Sequence, residues 1–156
     1  MKSPDKFWVS ESYDVPVPVF SYHLEMIELV GLYPKPPNHI LTEDRFPLIP
    51  GNPRRLIECK FFRFHEHLPT NIVRSCIHEH GWITASHVEL CSFQIAHPLV
   101  KLWCLAALGF FSQDESQEVP VILGPRQELR TVSSKVMWLT TTTFLGYKEK
   151  GLSPLP

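Results

Sequence analysis

The chain has 156 residues, 44% of them hydrophobic and 20% charged, with a net charge of −1 when histidine is neutral. That length supports one domain with a sizeable core, or two very small units packed together. The charge balance lacks the basic surplus with which strong nucleic-acid binders meet phosphates. No apolar run reaches the roughly 18 residues of a membrane span, because "LVKLWCLAALGFF" stops short and carries Lys101. The opening "MKSPDKFWVSES" has no apolar segment of the kind a secretory signal needs. Cys59, Cys76, Cys91 and Cys104 form no CxxC and no disulfide-framework spacing. The expectation is an intracellular protein, cytoplasmic or nuclear, with free cysteines and no membrane association.

Taken in chain order, Val15, Val17 and Val19 alternate with Pro16 and Pro18. Period two indicates a strand, and prolines confine it to an edge or to a polyproline-like segment. "LEMIELVGLY" (24–33) predicts a short helix ending at Gly31. Residues 34–53 are rich in proline and glycine and read as a long loop or linker. "RRLIECKFFRF" (54–64) is apolar enough for a strand covered on both faces, with Arg54, Arg55, Lys60 and Arg63 read as a solvated face. Thr70 is a candidate helix cap. Ile72, Val73, Cys76 and Ile77 form one stripe behind it, and Gly81 provides the stop.

"WITASHVELC" predicts a second short helix capped by Thr84, with Val88, Leu90 and Cys91 turned inward and "SFQIA" breaking the pattern. "HPLVKLWCLAALG" predicts a third helix over about 98–108, with Pro98 in its first turn and Gly109 at its end. "VPVIL" (119–123) and "ELRTV" (128–132) read as two strands about a Gly-Pro turn, and the run Thr140–Thr143 favours a further strand. Asp114, Glu115 and Glu118 read as a solvated connection, and His65-Glu66-His67 as a solvated loop.

The order helix, helix, helix, strand, turn, strand over residues 66–132 resembles the winged helix-turn-helix family. The resemblance implies an α+β fold, a winged-helix-like three-helix core with a β-hairpin, preceded by a Pro-rich extended arm. The implied domains are an arm or small β unit at 1–66, the winged-helix-like domain at 67–132, and a C-terminal strand and tail at 133–156. In DNA-binding members the third helix reads the major groove. Here Lys101 is the only charge on 98–108, and Arg126 and Arg130 are the cations of the hairpin. A helix this apolar is covered by protein. The resemblance thus implies a non-enzymatic protein-interaction module, a subunit or adaptor of an intracellular complex, with Trp103, Lys101, Arg126 and Arg130 as contact residues. A protein partner is expected, DNA binding is the disfavoured alternative, and no cofactor is implied.

Two other chemistries are weighed. Cys76 with His80, and His87 with Cys91, lie four apart and would share helix faces, which makes them an alternative zinc set, although the spacing matches no familiar zinc motif. "VSESYDVPVPVF" places Ser10, Tyr13, Pro16 and Phe20 in an order similar to a strand motif of the autophagy E2-like conjugating enzymes, followed by "IHE", "WIT" and "HP". That family carries its thioester-forming cysteine directly after His-Pro. Here Leu99 follows His97-Pro98, so the alternative catalytic pair is His97 with the more distant Cys104.

Overall fold

The computed structural model describes residues 7–20, 23–31, 41–48 and 54–152. The long loop expected over 34–53 falls outside the described residues except for 41–48, where the chain makes a turn. The elements are β1 (Phe7–Val9), β2 (Tyr13–Val17), α1 (His23–Val30), β3 (Arg55–Phe64), β4 (Leu68–Pro69), α2 (Thr70–Glu79), β5 (Ile83–Thr84), α3 (His87–Ala96), β6 (Cys104–Ala106), β7 (Glu118–Leu123), β8 (Glu128–Ser133), β9 (Met137–Trp138) and β10 (Thr143–Leu152). Among the described residues no helix is long and apolar enough to cross a membrane.

Eight strands form one mixed sheet, with β3 and β10 antiparallel along their whole length at its centre. β1 and β2 share the outer edge of β3. The far edge of β10 takes β6 in parallel and the short β5 antiparallel, and the β7–β8 hairpin continues from β6. β4 and β9 pair separately. The sheet therefore draws strands from all three segments distinguished in the sequence, 1–66, 67–132 and 133–156.

Period two decides what each strand buries. Ile57, Cys59 and Phe61 of β3, Leu145 of β10, Leu105 of β6 and Ile122 of β7 join one cluster with Met26 of α1 and Leu90, Cys91 and Phe93 of α3. Phe62 and Phe64, Phe144, Ala106, Val119 and Val121 join the other, with Val73, Cys76 and Ile77 of α2. The sheet is a central layer with α1 and α3 on one face and α2 on the other. Gly146 lets α2 approach, since a Cβ there would stand 2.7 Å from the Phe62 ring and 3.4 Å from Ile77.

The winged-helix expectation is overturned. Residues 98–108 are not a helix: 97–103 form a loop and Cys104–Ala106 a strand inside the sheet. The reason is a general ambiguity of short apolar runs, which suit a helix buried all round or a strand covered on both faces. Leu105 enters one core and Ala106 the other, so the second case holds. With no third helix after α3, no three-helix core exists for the hairpin to serve as a wing. The hairpin itself stands where expected, as β7 and β8, but as the end of the sheet.

Smaller corrections follow the same logic. Thr70 does not cap α2: Pro69 holds the N-cap position, and the Thr70 hydroxyl donates to the Ser134 carbonyl (2.6 Å) while accepting from Trp138 Nε1 (2.8 Å). Thr84 lies in β5, and α3 is capped by Ser86, whose side chain and Glu89 form a reciprocal box. α3 then runs through "SFQIA" because α1, β2 and the sheet surround it. Asp114 and Glu115 are exposed, as a solvated connection requires, whereas Glu118 is half-buried and begins β7. Arg45 bonds Asp114 at 2.7 Å and also reaches Glu118, tying the 41–48 turn to the loop before β7.

That tie has an acid limit. Hydrogen bonds from Ser112 and Ser116, then the Arg45 charge, hold Asp114 down to about 2 from the ordinary 3.8. A carboxylate depressed in the fold favours the folded state above its ordinary value, and the contribution fades as pH falls towards the depressed one. An NMR titration of the Asp114 carboxyl is expected to give a midpoint of about 2, and Ser112→Ala should move it upward. An unmoved midpoint would remove the hydroxyl as the cause.

Candidate functional site

A groove of about 610 Å³ lies beside the start of α3. One wall is the strap that leaves β2, with Val17, Pro18, Val19 and Phe20, joined by Pro47 and Leu48. Arg74 and His78 on α2, one helical turn apart, line the groove as well, with Ile83 and Thr84 of β5. Gly109 and Phe110 close one end, and Arg55, Tyr147 and Glu89 supply charged and polar groups. A mostly apolar concavity with a few convergent polar groups is the usual form of a ligand site.

Each polar group has a structural cause. The Ser86–Glu89 box starts α3, with Ser86 N–H donating to Glu89 Oε1 at 2.8 Å. Glu89 Oε2 then accepts from Arg55 Nη2 at 2.8 Å, and Arg55 Nη1 reaches Glu149 Oε1 at 2.6 Å. One guanidinium thus binds α3 to the two central strands and is neutralised by two carboxylates. Tyr147 lies beneath the Arg55 guanidinium, 5.8 Å from it, and burial followed by the Glu89 charge pushes its phenol up.

Arg74 is different. Among the described residues it makes no hydrogen bond and no ion pair, its Nε is shielded from solvent, and its guanidinium lies 5.2 Å over the Phe111 ring. His78 Nε2 stands 3.3 Å from the Thr84 hydroxyl. His87, also in the groove wall, donates from Nε2 to the Pro47 carbonyl at 3.1 Å and sits edge-on between Phe46 and Phe110.

The residues singled out in the sequence are dispersed. Trp103 is 61% exposed and Lys101 is exposed on the loop before β6. Arg126 is exposed in the hairpin turn, and Arg130 pairs with Glu128 on β8. Cys76 belongs to the α2 core, Cys91 to the α3 core, His87 to the groove wall, and His80 is exposed with its ring edge-on to Phe7. Among the described residues no three histidine, cysteine, aspartate or glutamate side chains are grouped to hold a metal ion. His97 donates from Nε2 to the Asp14 carbonyl at 3.0 Å and packs on Tyr13 and Phe93.

The expectation of free cysteines is also corrected. No thiol is bridged, but Cys59, Cys76 and Cys91 are buried and Cys104 half-buried. Burial, then the Glu89 charge, pushes Cys59 and Cys91 up to about 12, and burial raises Cys76 and Cys104. A water-soluble disulfide reagent is expected to label Cys104 first in the folded protein, and the other three only on denaturation. Fast labelling of Cys91 would contradict this packing.

Sequence reasoning passed over Arg74, Glu89 and Tyr147. One signal was available: Ser86-His87-Val88-Glu89 is the Ser-x-x-Glu pattern of a capping box, which places Glu89 at the start of α3. Nothing local marks Arg74 or Tyr147, which come to line one groove only in the folded chain. Comparison with protein-family models, with curated proteins and with solved structures finds no match to this chain.

Proposed function

We propose that this chain is a non-enzymatic binding module, and that the groove beside α3 receives its ligand. The observation that carries this reading is the combination of about 610 Å³ of mostly apolar concavity with a charged cluster held together by its own ion pairs. Arg55, Glu89 and Glu149 satisfy one another, so this cluster serves to hold the walls in place. Pre-organised walls lower the ordering cost that a ligand would otherwise meet. The test is binding of a neutral apolar fluorophore, N-phenyl-1-naphthylamine. It is expected to bind the native protein and to be displaced by Gln113→Trp, which adds bulk at an exposed position of the groove rim. No binding, or equal binding to that variant, would sink the reading.

A second reading, a protein partner, is favoured by the loop before β6. Trp103 is 61% exposed and Leu99 90% exposed. The loop is held from behind: Gly124 N–H donates to the Trp103 carbonyl at 2.7 Å, and the Gln127 side chain donates to the Leu102 carbonyl at 2.8 Å. An exposed tryptophan on a pinned backbone suits a contact anchor. Trp103→Ala is expected to leave stability within about 0.5 kcal/mol and to lose a partner captured from native lysate after nuclease treatment. Identical captures by the two proteins would remove this reading. The conjugating-enzyme alternative is not carried forward, because burial raises the Cys104 thiol where an attacking cysteine needs the opposite.

A further inference from the structure

We propose that the ligand of the groove is a small amphipathic acid: an apolar body of drug-like size carrying one anionic group, which Arg74 receives. This rests on the groove being the binding site, and adds the chemical class of what enters it. Two arginines line the groove, and Arg74, with its guanidinium over Phe111, also borders an adjoining hollow of about 270 Å³ that contains Lys135. Arg55 is held between Glu89 and Glu149 and has no charge left to offer. Arg74 has no acid or hydrogen-bond acceptor among the described residues, although it is half-buried and its Nε is closed off from water.

A guanidinium partly withdrawn from water without a counter-charge is unfavourable, and among the described residues its compensation is the face of Phe111, 5.2 Å away. The stack also fixes the planar fork, so little side-chain freedom is lost when an oxyanion docks against it. His78, one turn further along α2, lies beside it on the same wall, held at Thr84. Phe20, Leu48 and Phe110 also line the groove, and these side chains suit hydrocarbon or an aromatic ring. One anionic end and one apolar end is therefore the complement of this lining.

The test compares two probes that share a ring system. 1-Anilinonaphthalene-8-sulfonate carries a sulfonate, and N-phenyl-1-naphthylamine does not. In the native protein both are expected to bind, and raising the ionic strength should weaken only the sulfonate. Arg74→Gln is expected to weaken the sulfonate roughly tenfold, the scale of one charge-assisted hydrogen bond, and to leave the neutral probe unchanged. Arg74→Lys should retain most of the difference. Near-ultraviolet circular dichroism establishes that each variant keeps its packing, and the salt dependence of the native protein stands even if Arg74→Gln does not fold. If both probes bind natively but neither salt nor Arg74→Gln separates them, the acid class is wrong and the groove stands. If neither probe binds, the groove fails and the acid class fails with it.

Discussion

Gly109→Ala is expected to destabilise the protein by about 3 kcal/mol, the upper end of overpacking costs. A Cβ at this position would stand 2.2 Å from the Thr84 carbonyl oxygen and 2.7 Å from that of Ala85. Both are backbone atoms, so no side chain can swing aside. The requirement is for space: Gly109 N–H donates to the Ala85 carbonyl at 2.7 Å, and that bond draws the two backbones together. The displaced segment would be the β5–α3 corner, which carries Thr84 and Ser86 into the groove. Chemical denaturation should therefore show a lower midpoint with an unchanged slope, and the neutral probe should bind less tightly. A variant with native stability would mean that this corner is not held where it is described.

Arg55→Ala is expected to cost a similar amount, about 3 kcal/mol. The Glu89 side chain is 6% exposed and would keep its bond from Ser86 N–H while its other oxygen lost the guanidinium. Removing one member of a shielded pair leaves an uncompensated charge, which costs more than the pair contributes. The figure sits at the low end because Arg55 retains 21% exposure and its second partner, Glu149, is well solvated. A double-mutant cycle with Glu89→Gln separates the effects, since glutamine keeps an oxygen for the capping box. The double variant should be more stable than the sum of the single losses implies. Strict additivity would argue that Arg55 acts only through its aliphatic stem.

Several elements were legible locally. The β3 run was read as a strand covered on both faces, and Phe61 and Phe62 duly point into opposite cores. The alternation of Val15 and Val17 with Pro16 marked an edge strand, and β2 pairs on one side only. Gly31 and Gly81, both at positive φ, follow the helices they were expected to end. The failure at 98–108 came from a run with no periodicity to read. The candidate site was almost illegible. Arg55 and Glu149 are 94 positions apart, and Arg74 and Phe111 lie on elements that local pattern does not connect.

By itself, the sequence determined the amphipathic stripes, the turn and cap chemistry and the hairpin, because these depend on residues within about a turn or a strand of one another. The tertiary structure alone decided that Cys104–Ala106 is a strand, that three distant segments share one sheet, and that Arg55 is neutralised while Arg74 is not. The physical reason is that periodicity records how much of a segment is buried, whereas pairing and charge compensation depend on which non-local neighbour does the burying.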